Sequence, residues 1–217
     1  GVRFDAHDDR YARTAEWLAV LDGAWRGGSF SFAGRHYQVE DLIVSPRPLR
    51  SPRPTLYAGG ESEAAKGLIA GACDAYVMHG DPPERVAPKI ADMRRRRAAL
   101  GLPPMQYGLA AYVIVRDTPA QAQAELARIT DVSPGSPGYA NYREWIAHTQ
   151  LEQQVSLADY SVSNRGLRAE LVGTPETVAG RIRGLAAAGV DLLLLQCSPQ
   201  LEEMERLAAQ VIAPLRT

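Results

Sequence analysis

From Pro54 onward the apolar positions of the chain switch repeatedly between two spacings. Short continuous apolar runs read as strands: "PTLYAGG" (54–60), "DAYVMHG" (74–80), "MQYGLAAYVIVR" (105–116) and "VDLLLLQ" (190–196). Each is followed by a stretch whose apolar residues recur three and four apart, the signature of one helix face. The first such helix spans 62–70 and is closed by Gly71. The second, "DPPERVAPKIADMRRRRAAL", carries Asp81 as a cap, Pro82 at the first helical position and Glu84 to complete a capping box. The third, "DTPAQAQAELARIT", has a Thr118-x-x-Gln121 box with Pro119 at its start. "GTPETVAGRIRGLAAAG" is a further helix, with Thr174 as cap, Pro175 first and Gly189 last. "LEEMERLAAQVIAPL" closes the chain.

The segment before Pro54 is different. Residues 9–26 carry Tyr11, Ala15, Leu18 and Leu21 or Asp22 at helical spacing. "SFSFAGRHYQVEDLIV" alternates and turns at Ala33-Gly34, so it predicts a hairpin. "SPRPLRSPRP" places four prolines in ten residues, which excludes a helix or a central strand and leaves an extended connection.

Strands alternating with helices, with the strands continuously apolar, predict an α/β fold with a parallel sheet and helices outside it. The "VDLLLLQ" strand is expected to be buried on both faces. Four strand–helix units are half of an eight-fold barrel, so either these strands form a small open sheet or the other half is absent from this chain. The stretch 131–168 carries no clear period and holds Tyr139, Tyr142, Trp145 and Tyr160. Connections of that length often act as lids, and this one is expected to be a lid or insertion within a single domain over 1–217.

Composition narrows the function classes. Hydrophobic residues make up 46% and charged residues 23% of 217, and the formal net charge is -1. That balance offers no global attraction for nucleic acid or an anionic membrane, and no apolar run approaches the roughly 18 residues of a membrane span. Cys73 and Cys197 stand far apart in no metal-ligand spacing, so buried thiols in a reducing cytoplasm are expected, with no metal site. The Arg94–Arg97 run points all round its helix and reads as a solvated helix end.

The candidate chemistry lies at strand-to-helix corners. In "YAGGESEAAKGLIAG" (57–71), Gly59 and Gly60 let the backbone come close to a ligand, and Ser62 adds a hydroxyl at the start of a helix. A helix N-terminus presents free N–H groups and a partial positive charge, which suits a phosphate. Serine is also a favoured N-cap, so a plain cap stays open beside the phosphate seat. His79 stands at the end of its strand, either as a site residue or bonded to a loop carbonyl.

"HDDRY", "FSFAGRHY", "SPRPTLYAGGESEAA", "DAYVMHGDPPERV", "YGLAAYVIVRDT" and "LVGTPETVAGRI", in this order, resemble the bacterial luciferase-like flavin monooxygenases. Within that family the chain looks like the alkanesulfonate monooxygenase branch. It is most similar to the dimethyl sulfone monooxygenases, through "YAGGESEAAK", "CDAYVMHGDPPER", "TQLEQQVSLADYSVSNRGLR" and "SPQLEEMER". The resemblance implies the C-terminal half, strands five to eight, of a luciferase-like (β/α)8 barrel, with a hairpin insertion and a lid; the chain, which lacks an initiator Met, is then part of a longer enzyme. It implies FMN, used as FMNH2 delivered by a separate NADH- or NADPH-dependent reductase. It further implies O2, a small organosulfur substrate, C–S bond cleavage to methanesulfinate and formaldehyde, and a homo-oligomer.

By the family pattern, Gly59, Gly60, Glu61 and Ser62 hold the FMN phosphate. His7 stands near the same phosphate or at the surface. Catalytic candidates are His79, Tyr112 and the lid residue Arg165, with Arg168 as the competing choice and a core tyrosine as the other reading of Tyr112. The sulfonate branch has Arg and His where this chain has Ala110 and Tyr112, a Trp at His79 and a Tyr at Ser198. Loss of that basic pair implies a neutral substrate, because an unpaired buried cation is costly. An alkanesulfonate monooxygenase, a deazaflavin-dependent oxidoreductase of the same fold, and a catalytically silent fragment binding a phosphorylated ligand remain the alternatives.

Overall fold

Helix α1 runs His7–Arg26 and packs on α2, Glu63–Ala72. The structure, a computed structural model, describes residues 7–51, 53–131, 133, 139, 143 and 166–216, with side chains from Asp9 on. Two units divide it: one of Gly1–Val77 with Ala91–Gln106, the other of Met78–Ile90 with Tyr107–Thr217.

In the first unit α1 is followed by the antiparallel pair β1 (Phe30–Ala33) and β2 (Gln38–Leu42). Ala33 faces Gln38, so the turn is Gly34–Tyr37 rather than the tighter Ala33-Gly34 turn of the sequence reading. Its form is set from outside. The Glu16 carboxylate of α1 accepts the backbone N–H groups of Arg35, His36 and Tyr37 at 2.9, 2.7 and 3.0 Å.

The proline-rich connection forms no helix or strand among its described residues. It is tied down by Arg53, whose guanidinium donates to Asp22 at 2.6 Å and to Asp74. Asp74 also accepts the N–H of Leu56 at 2.8 Å. Burial would raise the Asp74 carboxyl, but Arg53 and the Leu56 N–H outweigh it and hold it below the ordinary aspartate range.

Strand β3 is only Tyr57–Ala58, and it pairs parallel with β4 (Ala75–His79), Tyr57 opposite Ala75 and Ala58 opposite Tyr76. Between them α2 runs through Gly71 instead of stopping there. Its last turn is closed by the Cys73 N–H on Ile69 O at 3.0 Å. The chain then leaves through Arg97 of α3 (Pro83–Ala99), which is buried and donates to the carbonyls of Ala70, Cys73 and Pro103. The arginine run is therefore not a uniformly solvated helix end. One of its four members satisfies carbonyls that a helix end leaves without partners.

In the second unit β5 (Gln106–Tyr112) pairs parallel with β8 (Leu192–Gln196), in register from Gly108 opposite Leu192 to Tyr112 opposite Gln196. The long apolar run 105–116 is not one strand. It breaks at Val113, and β6 (Ile114–Val115) pairs instead with β7 (Val172–Gly173). The Val113 N–H still reaches Gln196 O at 2.9 Å, so the break marks a change of partner rather than a loss of pairing. Helix α4 (Pro119–Thr130) carries the full capping box of Thr118 and Gln121, and α5 (Pro175–Ala187) is capped by Thr174. Helix α6 (Gln200–Leu207) continues through a wider π-type stretch, Ala208–Ile212, into α7 (Ala213–Leu215).

Strand β8 is not buried on both faces. Leu194 is 45% exposed, and the strand borders an open apolar groove of about 480 Å³ lined by Ile182, Leu185, Val190, Leu193, Ile212 and Leu215. Burial on both faces needs a packed layer on each; Leu193 and Leu195 face the groove, and Leu194, which alternates with them along the strand, is exposed among the described residues. No helix among them is long and apolar enough to cross a membrane. Cys73 is a buried free thiol and Cys197 a half-buried one.

Candidate functional site

The first corner joins β3 to α2, and all four residues expected to hold a phosphate lie in it. Neither glycine is there for a left-handed turn. Both are there for space. A Cβ on Gly59 would stand 2.8 Å from Val77 O, and one on Gly60 would stand 2.6 Å from the Ala65 Cβ and 3.5 Å from the Tyr11 hydroxyl. The missing side chains leave the bare backbone as the lining of the corner.

Ser62 is the N-cap of α2. Its Oγ accepts the Ala65 N–H at 3.2 Å, and its carbonyl takes the Lys66 N–H at 2.9 Å. The cap role is therefore present. It does not exclude the other, because a hydroxyl that accepts from the helix keeps its own hydrogen to donate. The N–H groups of Glu63 and Ala64, in the first turn, have no intrahelical acceptor. Two acidic side chains flank them. Glu61 is exposed. Arg96 at 2.6 Å, then Lys66 at 3.2 Å, hold the Glu63 carboxyl below the usual glutamate range. Its charge is thereby offset by cations beside the helix start.

One residue of this corner was not legible as such in the sequence. Tyr76 reads there as an ordinary strand residue, yet it is fully buried and its hydroxyl donates to Gly60 O at 3.2 Å. That bond orients the Gly60 peptide from beneath. The only signal for it was a tyrosine where a strand core favours aliphatic residues, since a buried tyrosine needs a partner for its hydroxyl. His7 opens α1, and its side chain lies outside the described residues.

The second corner follows β4. His79 is the last residue of the strand and is exposed, whereas Gly80 and Asp81 are buried. Helix α3 starts at Pro83, one residue later than expected, and the Asp81 carboxylate accepts the Lys89 ammonium at 2.9 Å. Tyr112 ends β5 and is buried, whereas His79 is exposed. Its ring is buried in an apolar cluster with Ile114, Ala122, Ile129, Leu167 and Val172, which supports a packing role. Arg165 and nearly all of 131–165 lie outside the described residues. Arg168 is exposed in the short 3₁₀ turn Leu167–Ala169. Ala110, in the place of a sulfonate-branch cation, lies within β5.

Comparison with known proteins adds a family to this geometry. A profile described as luciferase-like monooxygenase matches residues 1–192. An FMNH2-dependent dimethylsulfone monooxygenase of Pseudomonas putida is 33% identical over 219 residues, covering 97% of this chain and 60% of that protein. The chain thus spans about 60% of the length of the curated relatives it matches. Among solved structures, riboflavin lyase matches with a TM-score of 0.80 at 18% identity, over 100% of this chain and 59% of that one. DmoA from Hyphomicrobium sulfonivorans matches with a TM-score of 0.76 at 19% identity, over 99% and 57%. At such identities these two matches speak to the fold alone: parallel strands followed by helices, here as a partial barrel. With a profile matched over most of its residues and strand–helix units of the kind that family builds, the chain belongs to the luciferase-like monooxygenase family.

Proposed function

We propose that this chain is the second half of the barrel of an FMNH2-dependent monooxygenase that oxidises dimethyl sulfone. The observation that carries the reading is the β3–α2 corner. It combines two glycines required by close approach, a serine hydroxyl with a hydrogen left to donate, and the free N–H groups of a ten-residue helix. That donor set fits the terminal phosphate of FMN. The name of the Pseudomonas putida relative supports the flavin and the substrate.

The balanced reaction is dimethyl sulfone + O2 + FMNH2 → methanesulfinic acid + formaldehyde + water + FMN. Reduced FMN, when bound, supplies the electrons that activate O2. The chain's own residues bind and orient. Gly59 and Gly60 admit the phosphate to the backbone. Ser62 donates its O–H, and the Glu63 and Ala64 N–H groups complete the seat. Glu61 adds its backbone N–H with its side chain in solvent. His79, exposed at a strand end, donates a hydrogen bond to a sulfone oxygen in this reading. Ala110 supports a neutral substrate, because it offers no cation to an anionic sulfonate. A separate NADH- or NADPH-dependent flavin reductase, a homo-oligomer and a cytoplasmic setting belong to the same reading.

The test is a titration of FMN and FMNH2, read by flavin fluorescence, into this chain and into a form extended upstream to the length of its relatives. Binding that falls by about 1–3 kcal/mol in Ser62→Ala supports the phosphate seat. Unchanged affinity removes it. If neither form binds flavin, the corner is only a capped turn and the fragment is silent toward flavin.

A further inference from the structure

Gly80 follows His79 directly, and its φ does not lie in the left-handed region, so no turn requires a glycine there. Space does. A Cβ on Gly80 would stand 2.5 Å from Gly166 O and 2.7 Å from Ala110 O. Both are backbone carbonyls, which cannot swing aside as the end of a flexible side chain can. Gly166 is pinned in return. Its φ is +72°, and a Cβ on it would stand 2.7 Å from Ala110 O and 2.9 Å from Ala111 Cα. Its carbonyl takes the Tyr112 N–H only at 3.4 Å, so shape holds this crossing more than hydrogen bonding does.

Three backbones therefore meet at one point: the end of β4, the body of β5 and the chain entering the 3₁₀ turn at Leu167. One residue further on, buried Asp81 is locked to Lys89 of α3. His79 is thus the exposed neighbour of a peptide fixed by contact at Gly80 and by an ion pair at Asp81. Reacting groups must be held to within a fraction of an ångström, and side chains on fixed elements meet that demand best.

We propose that Gly80 and Gly166 are positioning residues for His79, their backbone contact fixing the strand-end peptide from which the imidazole is presented. This rests on the reading of His79 as a site residue. A mere packing role would set stability without setting the place of the imidazole.

The experiment uses the histidine ring signals of the 217-residue chain in heteronuclear NMR, with the His79 signal assigned by its loss in His79→Gln. In Gly80→Ala the His79 signal is expected to shift or split while that of His36, on the hairpin, stays in place. Lys89→Gln frees Asp81 without touching the backbone crossing, and is expected to move the His79 signal less. A folded Gly80→Ala protein with an unmoved His79 signal overturns the proposal. If Gly80→Ala fails to fold, Gly166→Ala probes the same crossing, and an unmoved His79 signal there overturns the proposal as well. Adding FMN to the unsubstituted chain separates the two ideas. A shift of His79 supports the site reading, and no shift removes that reading while the result for Gly80 stands by itself.

Discussion

Gly60 of the first corner and Gly80 of the second face different neighbours, although Gly59, like Gly80, lies against a backbone carbonyl. At the first, a Cβ on Gly60 would meet the Ala65 Cβ, the Tyr11 hydroxyl and the end of Ile69, all side-chain atoms. At the second, a Cβ on Gly80 would meet two backbone carbonyls and a carbonyl carbon. The Tyr11 and Ile69 side chains can yield by rotating; the Ala65 Cβ and a packed backbone yield only by moving the element that carries them. The first corner is thus a place where the chain was kept bare above a buried tyrosine, and the second a place where three backbones were brought to contact. Gly60 admits the close packing of a helix start, and Gly80 with Gly166 admits a backbone crossing.

The largest effect that sharpens this contrast is on stability at the second corner. Gly80→Ala is expected to cost about 3 kcal/mol, at the upper end for overpacking, as a lowered midpoint in urea. A loss below about 1 kcal/mol would show that the crossing yields as easily as a side chain. Gly60→Ala is expected to cost less, about 1–2 kcal/mol, while weakening FMN binding, because the added methyl, set against the Ala65 Cβ, pushes the corner peptide away from the helix start.

Ser62 separates cap from seat. Ser62→Ala is expected to lower stability by about 1 kcal/mol, but Ser62→Gly by only a few tenths, since glycine is a tolerated N-cap. Both remove the hydroxyl, so both should weaken FMN binding alike. Binding that follows stability instead of the hydroxyl would reduce the first corner to a cap.

The smallest effect is acid sensitivity at the base of the first corner. Burial opposes it, but Arg53 and then the Leu56 N–H hold the folded Asp74 carboxyl, and Arg26 and then Arg53 the folded Asp22 carboxyl, below their ordinary values. A depressed folded pKa gives stability that is present above the unfolded value, near about 4, and lost as pH falls through the folded value. Amide exchange at Leu56 should therefore quicken below about pH 4, and Arg53→Met should flatten that dependence. No change at Leu56 across that range would show that the ion pairs do not hold the β3 end.

Local signals were the legible ones. Ser62, Thr118 with Gln121, and Thr174 are caps in the structure as their sequences predict, because a cap is settled within four residues. Gly59, Gly60 and Ser62 could be singled out for the same reason: the signal and the feature share one stretch of chain. Three readings failed for want of a distant partner. Asp81 reads as part of a capping box, but Lys89 takes its carboxylate. The run 105–116 reads as one strand, but its neighbour changes at Val113. "VDLLLLQ" reads as buried on both faces, but Leu193 and Leu195 line an open groove and Leu194 is exposed.

The sequence by itself determined the order of strands and helices, the helix starts, and the bare corner at 59–62, since periodicity, capping and glycine act over a few residues. Only the tertiary structure decided that the Tyr76 hydroxyl holds Gly60, that Arg97 is buried against the end of α2, and that Gly80 touches Gly166. Gly80 and Gly166 stand far apart in the chain, and no local pattern records which two backbones will cross at van der Waals distance.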